Sequence, residues 1–186
     1  MTSRLPETLA VPDSYRDGIF LEALTGSDHG DLEGFLAANR SHLARFASFS
    51  GAGISEEAAR LVGSVGGGDE LYKIMHRGDA QSADIGGLVG LSGLGTGKPT
   101  AQLSYCIAER LQGRGFVTAA ARTLCAVAFR ERPIQQIVAG IALENVQSER
   151  VMIKLGGSCE GVWGFSYQTN TYVRRWGVSR EVFIYK

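Results

Sequence analysis

Gln112-Gly113-Arg114-Gly115-Phe116-Val117 is the stretch of this 186-residue chain whose residue types come closest to a ligand site. Two glycines let the backbone turn so that several N–H groups converge, and the missing Cβ atoms admit a ligand close to the chain. A helical pattern begins directly afterwards, and the first N–H groups of a helix are unpaired while its dipole favours an anion. Together these features make a pyrophosphate site, to which Arg114 can add a charge from the side. A plain chain reversal is the competing reading, and the loop alone does not separate the two. Two other phosphate motifs are excluded. Residues 92–99 contain Gly97-Lys98, but Ser92 stands where a P-loop begins with glycine and Pro99 where it needs Ser or Thr. A dinucleotide fingerprint starting at Gly113 would need a small residue at Thr118 and an acidic one near Pro133.

A second constellation is Asn145-Val146-Gln147-Ser148, where Asn145 is a good helix N-cap and Ser148 falls at N3. A nucleophile elbow is absent, because Gly90-Leu91-Ser92-Gly93-Leu94 lacks its final glycine. Direct transfer without a covalent enzyme intermediate is therefore the chemistry to expect. Cys106, Cys125 and Cys159 are odd in number and widely spaced, which suits neither a disulfide framework nor a zinc site. They are expected to be small buried hydrophobes in a reducing cytoplasm.

The elements that position these residues follow from periodicity. Val117, Ala120, Ala121, Leu124, Val127 and Ala128 share one face of a helix over residues 116–130, which Pro133 helps to end. Residues 136–143 form a nearly continuous apolar run, the signature of a strand covered on both faces. Asn145 then opens a helix that runs to Leu155, where Gly156 and Gly157 supply a left-handed stop. Upstream, residues 32–46 predict an amphipathic helix, residues 56–62 a short helical segment, and residues 71–76, 85–91 and 102–107 strands. The triple glycine at Gly66-Gly67-Gly68 reads as a flexible turn. Two further strands are expected at residues 161–167 and 181–185. With no internal repeat and no linker, residues 1–186 read as one domain.

Composition narrows the function classes. Hydrophobic residues make up 44% of the chain and charged residues 20%, an ordinary globular balance. The 19 basic and 19 acidic side chains cancel, leaving no electrostatic footprint for nucleic acid or an anionic membrane. No apolar run spans a bilayer, and residues 1–11 lack the basic region and apolar core of a signal peptide.

Leu103-Ser104-Tyr105-Cys106-Ile107-Ala108, residues 112–120, Ala142-Leu143-Glu144-Asn145-Val146-Gln147-Ser148-Glu149-Arg150 and Lys154-Leu155-Gly156 together resemble the core of the GNAT superfamily of N-acetyltransferases. More narrowly they are similar to its RimJ/RimL branch, the ribosomal-protein N-terminal acetyltransferases. The family's Gln-x-x-Gly-x-Gly/Ala signature falls on Gln112, Gly115 and Val117, the last off pattern, and its Asn-x-x-Ser falls on Asn145 and Ser148. Asn39-Arg40-Ser41-His42-Leu43 weakly resembles the branch's early helix. The sequence departs from the pattern at Thr118-Ala119-Ala120, where Thr-Glu-Ala is common, and at Gly156-Gly157, where Gly-Phe is usual. Residues 161–176 align with nothing in the family.

The resemblance implies an α/β (α+β) fold, with a mixed, mostly antiparallel sheet of six to seven strands, splayed in the middle and flanked by about four helices. It implies acetyl-CoA as cosubstrate, held by Ser104, Tyr105, Cys106 and Ile107 along the strand and by Gln112, Gly113, Arg114, Gly115, Phe116, Val117 and Thr118 in the loop. Asn145 and Ser148 complete that set. Ser148 is the implied proton donor to the departing thiolate, or else a reciprocal cap with Asn145, and Tyr105 is an alternative donor. Glu144, Glu160 and His76 are candidate bases, and Arg40, His42 and His76 candidate acceptor contacts. The implied reaction is acetylation of a primary amine, at a peptide N-terminus or on a small molecule such as an antibiotic or polyamine. A non-catalytic acyl-CoA-binding module is the alternative. A monomer or homodimer is expected.

Overall fold

Two strands that are buried along nearly their whole length form the middle of the sheet, β3 (Glu70–His76) and β4 (Ile85–Ser92), both covered on either face. The structure is a computed structural model, and it describes residues 4–12, 18–45, 53–65, 68–76, 84–167 and 170–184. Outward from β3 lie β2 (Ile19–Ala23) and β1 (Thr8–Ala10), and beyond β4 lies β5 (Thr100–Ile107). The sheet continues through β6 (Gln136–Ala142) to β8 (Thr171–Ser179) and ends on β7 (Ser158–Ser166). All neighbours are antiparallel except β5 and β6, which are parallel and pair only from Thr100↔Gln136 to Gln102↔Val138. Past Gln102, β5 keeps its ladder to β4 but has none to β6, so the sheet opens in the middle. That opening positions the site.

The helices are α1 (His29–Ala38), α2 (Arg40–Leu43), α3 (Ile54–Ser64), α4 (Phe116–Glu131), α5 (Val146–Leu155) and α6 (Arg180–Ile184). α4, α5 and α6 cover one face, with α4 reaching across β1 to β5, and α1 to α3 cover the other. Small residues let α4 lie close to the sheet: Ala120, Ala121 and Ala128 are fully buried around Leu124. Met152 and Leu155 bury the apolar side of α5 over β6 and β8. Each such large side chain contributes about 1.5–3 kcal/mol relative to exposure. Asp28 fixes the start of α1 to the sheet, because its Oδ1 accepts from Lys73 Nζ of β3 at 2.7 Å. Burial alone would raise the Asp28 carboxyl, but the hydrogen bonds from Lys73 and Thr25 outweigh it and hold the group below its usual range.

The expected GNAT architecture is present, with eight strands and six helices among the described residues. Three expectations need correction. Residues 181–185, expected as a strand, lie in α6 up to Ile184 (Tyr185 is outside the described residues), and Phe183 packs on Phe129 with ring centroids 5.3 Å apart. The strand completing the sheet is β8, hydrogen-bonded to both β6 and β7. The single helix expected over residues 32–46 is broken at Asn39, whose Nδ2 donates to the Phe35 carbonyl and whose Oδ1 accepts from the Glu109 N–H. Phe46, at its expected end, and Gly66 and Gly67 of the triple glycine lie outside the described residues. Cys125 is buried as expected and Cys106 is half-buried, but Cys159 on the edge strand is exposed. Among the described residues no helix is long and apolar enough to cross a membrane.

Candidate active site

Gly115 takes a left-handed conformation, φ +81°, and serves as the N-cap of α4, with Gly113 at φ +72° two residues earlier. The first intrahelical bond of α4 runs from the Ala119 N–H to the Gly115 carbonyl. The N–H groups of Val117 and Thr118 thus belong to the orphan set of a helix start, and the N-cap, a glycine, has no side chain to cap them. The first turn also carries no acidic residue. Ala119, where the family commonly has Glu, and Ala120 are buried. Among the described residues, chain neighbours apart, nothing lies within 4 Å of a Cβ built on Gly113 or Gly115, so the space over the turn is open.

From this turn a cavity of about 1210 Å³ passes between β5 and β6 to the face covered by α1 and α3. Ser104, Tyr105, Cys106 and Ile107 line it along the unpaired edge of β5, and Ala139 to Ala142 line it along β6. Gln112, Gly113, Gly115, Phe116, Val117 and Thr118 line its loop end, whereas Arg114 is exposed at the rim. On α5, Asn145 and Ser148 face the same space. Arg150 and Lys154, one helical turn apart, add positive charge opposite the loop. Sequence reasoning gave these two cations no role, although their spacing on the Asn145 helix was the available signal.

Asn145 caps α5 through its Oδ1, which accepts from the Ser148 backbone N–H at 3.1 Å. The cap is not reciprocal, for the Ser148 hydroxyl makes no hydrogen bond among the described residues. The Tyr105 hydroxyl donates to the Ser148 carbonyl at 3.1 Å and so ties the first turn of α5 to β5. Burial pushes the Tyr105 phenol well above its ordinary value, which keeps it a neutral donor. Burial also pushes the Cys106 thiol up to about 12, so at neutral pH it is no nucleophile.

The other candidates stand elsewhere. Glu144 is exposed and accepts from Thr171 Oγ1 at 2.8 Å, outside the cavity lining. Glu160 pairs with Arg175 and accepts from Gln136 Nε2 at 2.6 Å, also outside that lining. His76 stacks on Phe116 with ring centroids 5.0 Å apart and does not line the cavity. Arg40 is exposed on α2, while His42 reaches the cavity and bonds Gln112 across 3.0 Å, bracing the loop. The carboxylates that do line the cavity are Glu57, Asp69 and Glu70, which sequence reasoning passed over. Each is engaged: Glu57 by Arg60, Asp69 by the Gly93 N–H at 3.1 Å, and Glu70 by the Leu5 N–H at 2.9 Å.

A family model described as an acetyltransferase (GNAT) domain matches residues 19–158. No curated protein matches the chain by sequence. Among solved structures, RimL, the ribosomal L7/L12 alpha-N-protein acetyltransferase in complex with coenzyme A, superposes with a TM-score of 0.79 at 16% identity, covering 93% of this chain and 98% of its own. RimJ of Mycobacterium smegmatis gives a TM-score of 0.78 at 18% identity, with 95% and 88% covered. Spermidine N-acetyltransferase from Vibrio cholerae, in complex with CoA and spermine, gives 0.74 at 18% identity, with 91% and 99% covered. At these identities the likeness is one of fold.

Proposed function

Since the chain belongs to the GNAT acetyltransferase family and is an acyltransferase that draws on acetyl-CoA, we propose that it acetylates a primary amine by direct attack, the acceptor being the α-amino group at a protein or peptide N-terminus. The observation that carries this reading is the continuous passage from the uncapped start of α4, between β5 and β6, to the opposite face of the sheet. When bound, acetyl-CoA would supply an acetyl group activated as a thioester, with coenzyme A as the thiolate leaving group. The N–H groups of Val117 and Thr118, with Arg114, Arg150 and Lys154 around them, suit its pyrophosphate. The unpaired edge of β5 at Ser104 to Ile107 suits the pantetheine amides, which can add to it as a strand does. An N–H on that edge can also hold the thioester oxygen as negative charge develops. The Ser148 hydroxyl, without another partner, can donate to the sulfur.

Two observations favour an α-amine over a polyamine. An α-amino group has an ordinary pKa of about 7.7–8.0 and an alkylammonium like that of lysine about 10.4, so the former reaches its neutral form with little help from a base. Among the described residues the carboxylates lining this cleft each have a polar partner, which disfavours them as a strong base or as a seat for a polycation. Acetyl-CoA should raise the melting temperature by mass action, with about 2.7 kcal/mol of stabilisation at a hundredfold excess over Kd. A thermal scan checks this, and an unchanged midpoint at millimolar acetyl-CoA contradicts the cofactor assignment.

A further inference from the structure

The edge strand β7 carries an irregularity that regular pairing with β8 does not require. Its register slips between Cys159 and Gly161 and again between Val162 and Gly164, leaving Glu160 and Trp163 as the extra residues of two bulges. Bulges re-aim side chains, and they recur beside active sites. Here each turns a side chain over a glycine of another strand. The Trp163 ring lies over Gly140 of β6, with ring carbons 3.2 Å from where a Cβ would stand, and Val173 of β8 closes the same spot at 3.1 Å. The Glu160 carboxylate lies over Gly177 of β8 in the same way. Arg175 joins the two, pairing with Glu160 and stacking its guanidinium 5.8 Å from the Trp163 ring centroid. The indole is thus held in one orientation by packing and by a cation–π contact.

The position of that ring gives it a use. Gly140 belongs to the stretch of β6 that lines the cleft where β5 has parted from it. Side chains alternate along β6, and Ile141 pairs with Arg174 of β8, which meets Glu149 of α5 at 2.8 Å, so Ile137, Ala139 and Ile141 are the residues that face α5. Gly140 therefore faces away from α5, and Trp163 with it. Trp163 does not itself line the cavity but borders Gly140, which does, and a large aromatic side chain that remains 47% exposed there leaves an apolar surface unfilled. Arg175 already supplies a cation to the ring, so a further cation is disfavoured there and an apolar group is favoured.

We infer that Trp163 is the acceptor-side specificity residue of this cleft, and that its indole receives an apolar or aromatic side chain carried next to the amine that is acetylated. This rests on the cleft being the acceptor site proposed above. Phenylalaninamide and serinamide present the same kind of α-amine and differ in that side chain. The native protein should favour phenylalaninamide by about tenfold in kcat/KM, mostly through KM. Trp163→Ala should bring the ratio to within about twofold of one, and Trp163→Phe should restore most of it. A ratio unchanged in Trp163→Ala would overturn the inference.

A binding measurement keeps the two proposals apart. The chain has two tryptophans, and Trp176 is buried at 8% exposure, so acrylamide quenching of the native protein reports chiefly on Trp163. Phenylalaninamide should protect that fluorescence and serinamide should not. Protection without turnover of any amine would sustain the role of Trp163 while removing the proposed activity. Turnover without protection would do the reverse.

Discussion

Gly115→Val should raise the Kd for acetyl-CoA by more than about 100-fold, a loss of at least about 2.7 kcal/mol. Gly115 stands at φ +81°, where a β-branched residue is strained by about 1–3 kcal/mol. If the backbone relaxes toward ordinary φ, the N–H groups of Val117 and Thr118 no longer converge. If it does not, the valine side chain fills the open space above them. Either route removes the anion seat, and neither drives a side chain into the core. Circular dichroism should therefore report a folded protein with a lowered melting temperature, while calorimetry finds no cofactor heat. Gly115→Ala should fall between the two. Parental affinity in Gly115→Val would move the pyrophosphate away from this turn.

Ser148→Ala should lower kcat by on the order of 10²-fold, with a small change in acetyl-CoA affinity and in melting temperature. The structure sharpens the contrast between the two roles of this residue. Asn145 caps the backbone N–H of Ser148, which alanine keeps, and the hydroxyl has no partner whose loss would cost stability. A helix-capping role for that hydroxyl would instead lose about 0.5–2 kcal/mol and leave turnover intact. Saturating kinetics and a thermal scan on one variant distinguish these outcomes. Full activity in Ser148→Ala would remove Ser148 as proton donor and leave water or Tyr105.

The parts of the fold legible in the sequence are those whose signals are local. The turn Gly113 to Gly115, the buried stripe of α4, the apolar run of β6 and the Asn145 cap of α5 each depend on residues a few positions apart, and each forms as expected. Elements defined by distant partners were not legible. The break after α1 depends on Asn39 reaching the Glu109 N–H, 70 residues away. β8 carries Arg174 and Arg175 in its middle, and the first of these is explained only by Glu149 of α5, which it meets at 2.8 Å. α6 has the β-branched and aromatic content of a strand, yet it caps the end of α4 through Phe183 and Phe129. β2 was a missed chance, because Ile19, Leu21 and Ala23 alternate inward at period two.

The site divides in the same way. The residues proposed to hold the cofactor come mostly from one loop and one strand, and nearly all of them line a single cavity. The far side of the cavity, the proposed acceptor side, is assembled from α1, α2, α3 and β3, and residue type alone misled there. Glu144 and Glu160 are plausible bases by chemistry, but Thr171 and Arg175 hold them outside the cavity. Trp163 gave no signal at all, since its aim depends on a bulge and on the absence of a Cβ at Gly140.

The most direct test of the central claim is free-thiol release from acetyl-CoA, with mass spectrometry of the amine, across N-terminal peptides, amino-acid amides, polyamines and aminoglycosides. The account predicts many turnovers per protein, thiol release that requires the amine, and one N-acetyl product per thiol, with α-amines ahead of polyamines. Turnover confined to polyamines or aminoglycosides would reverse the acceptor assignment. No release above spontaneous hydrolysis with any amine, from a protein that binds acetyl-CoA, would contradict the catalytic reading and leave an acyl-CoA-binding module.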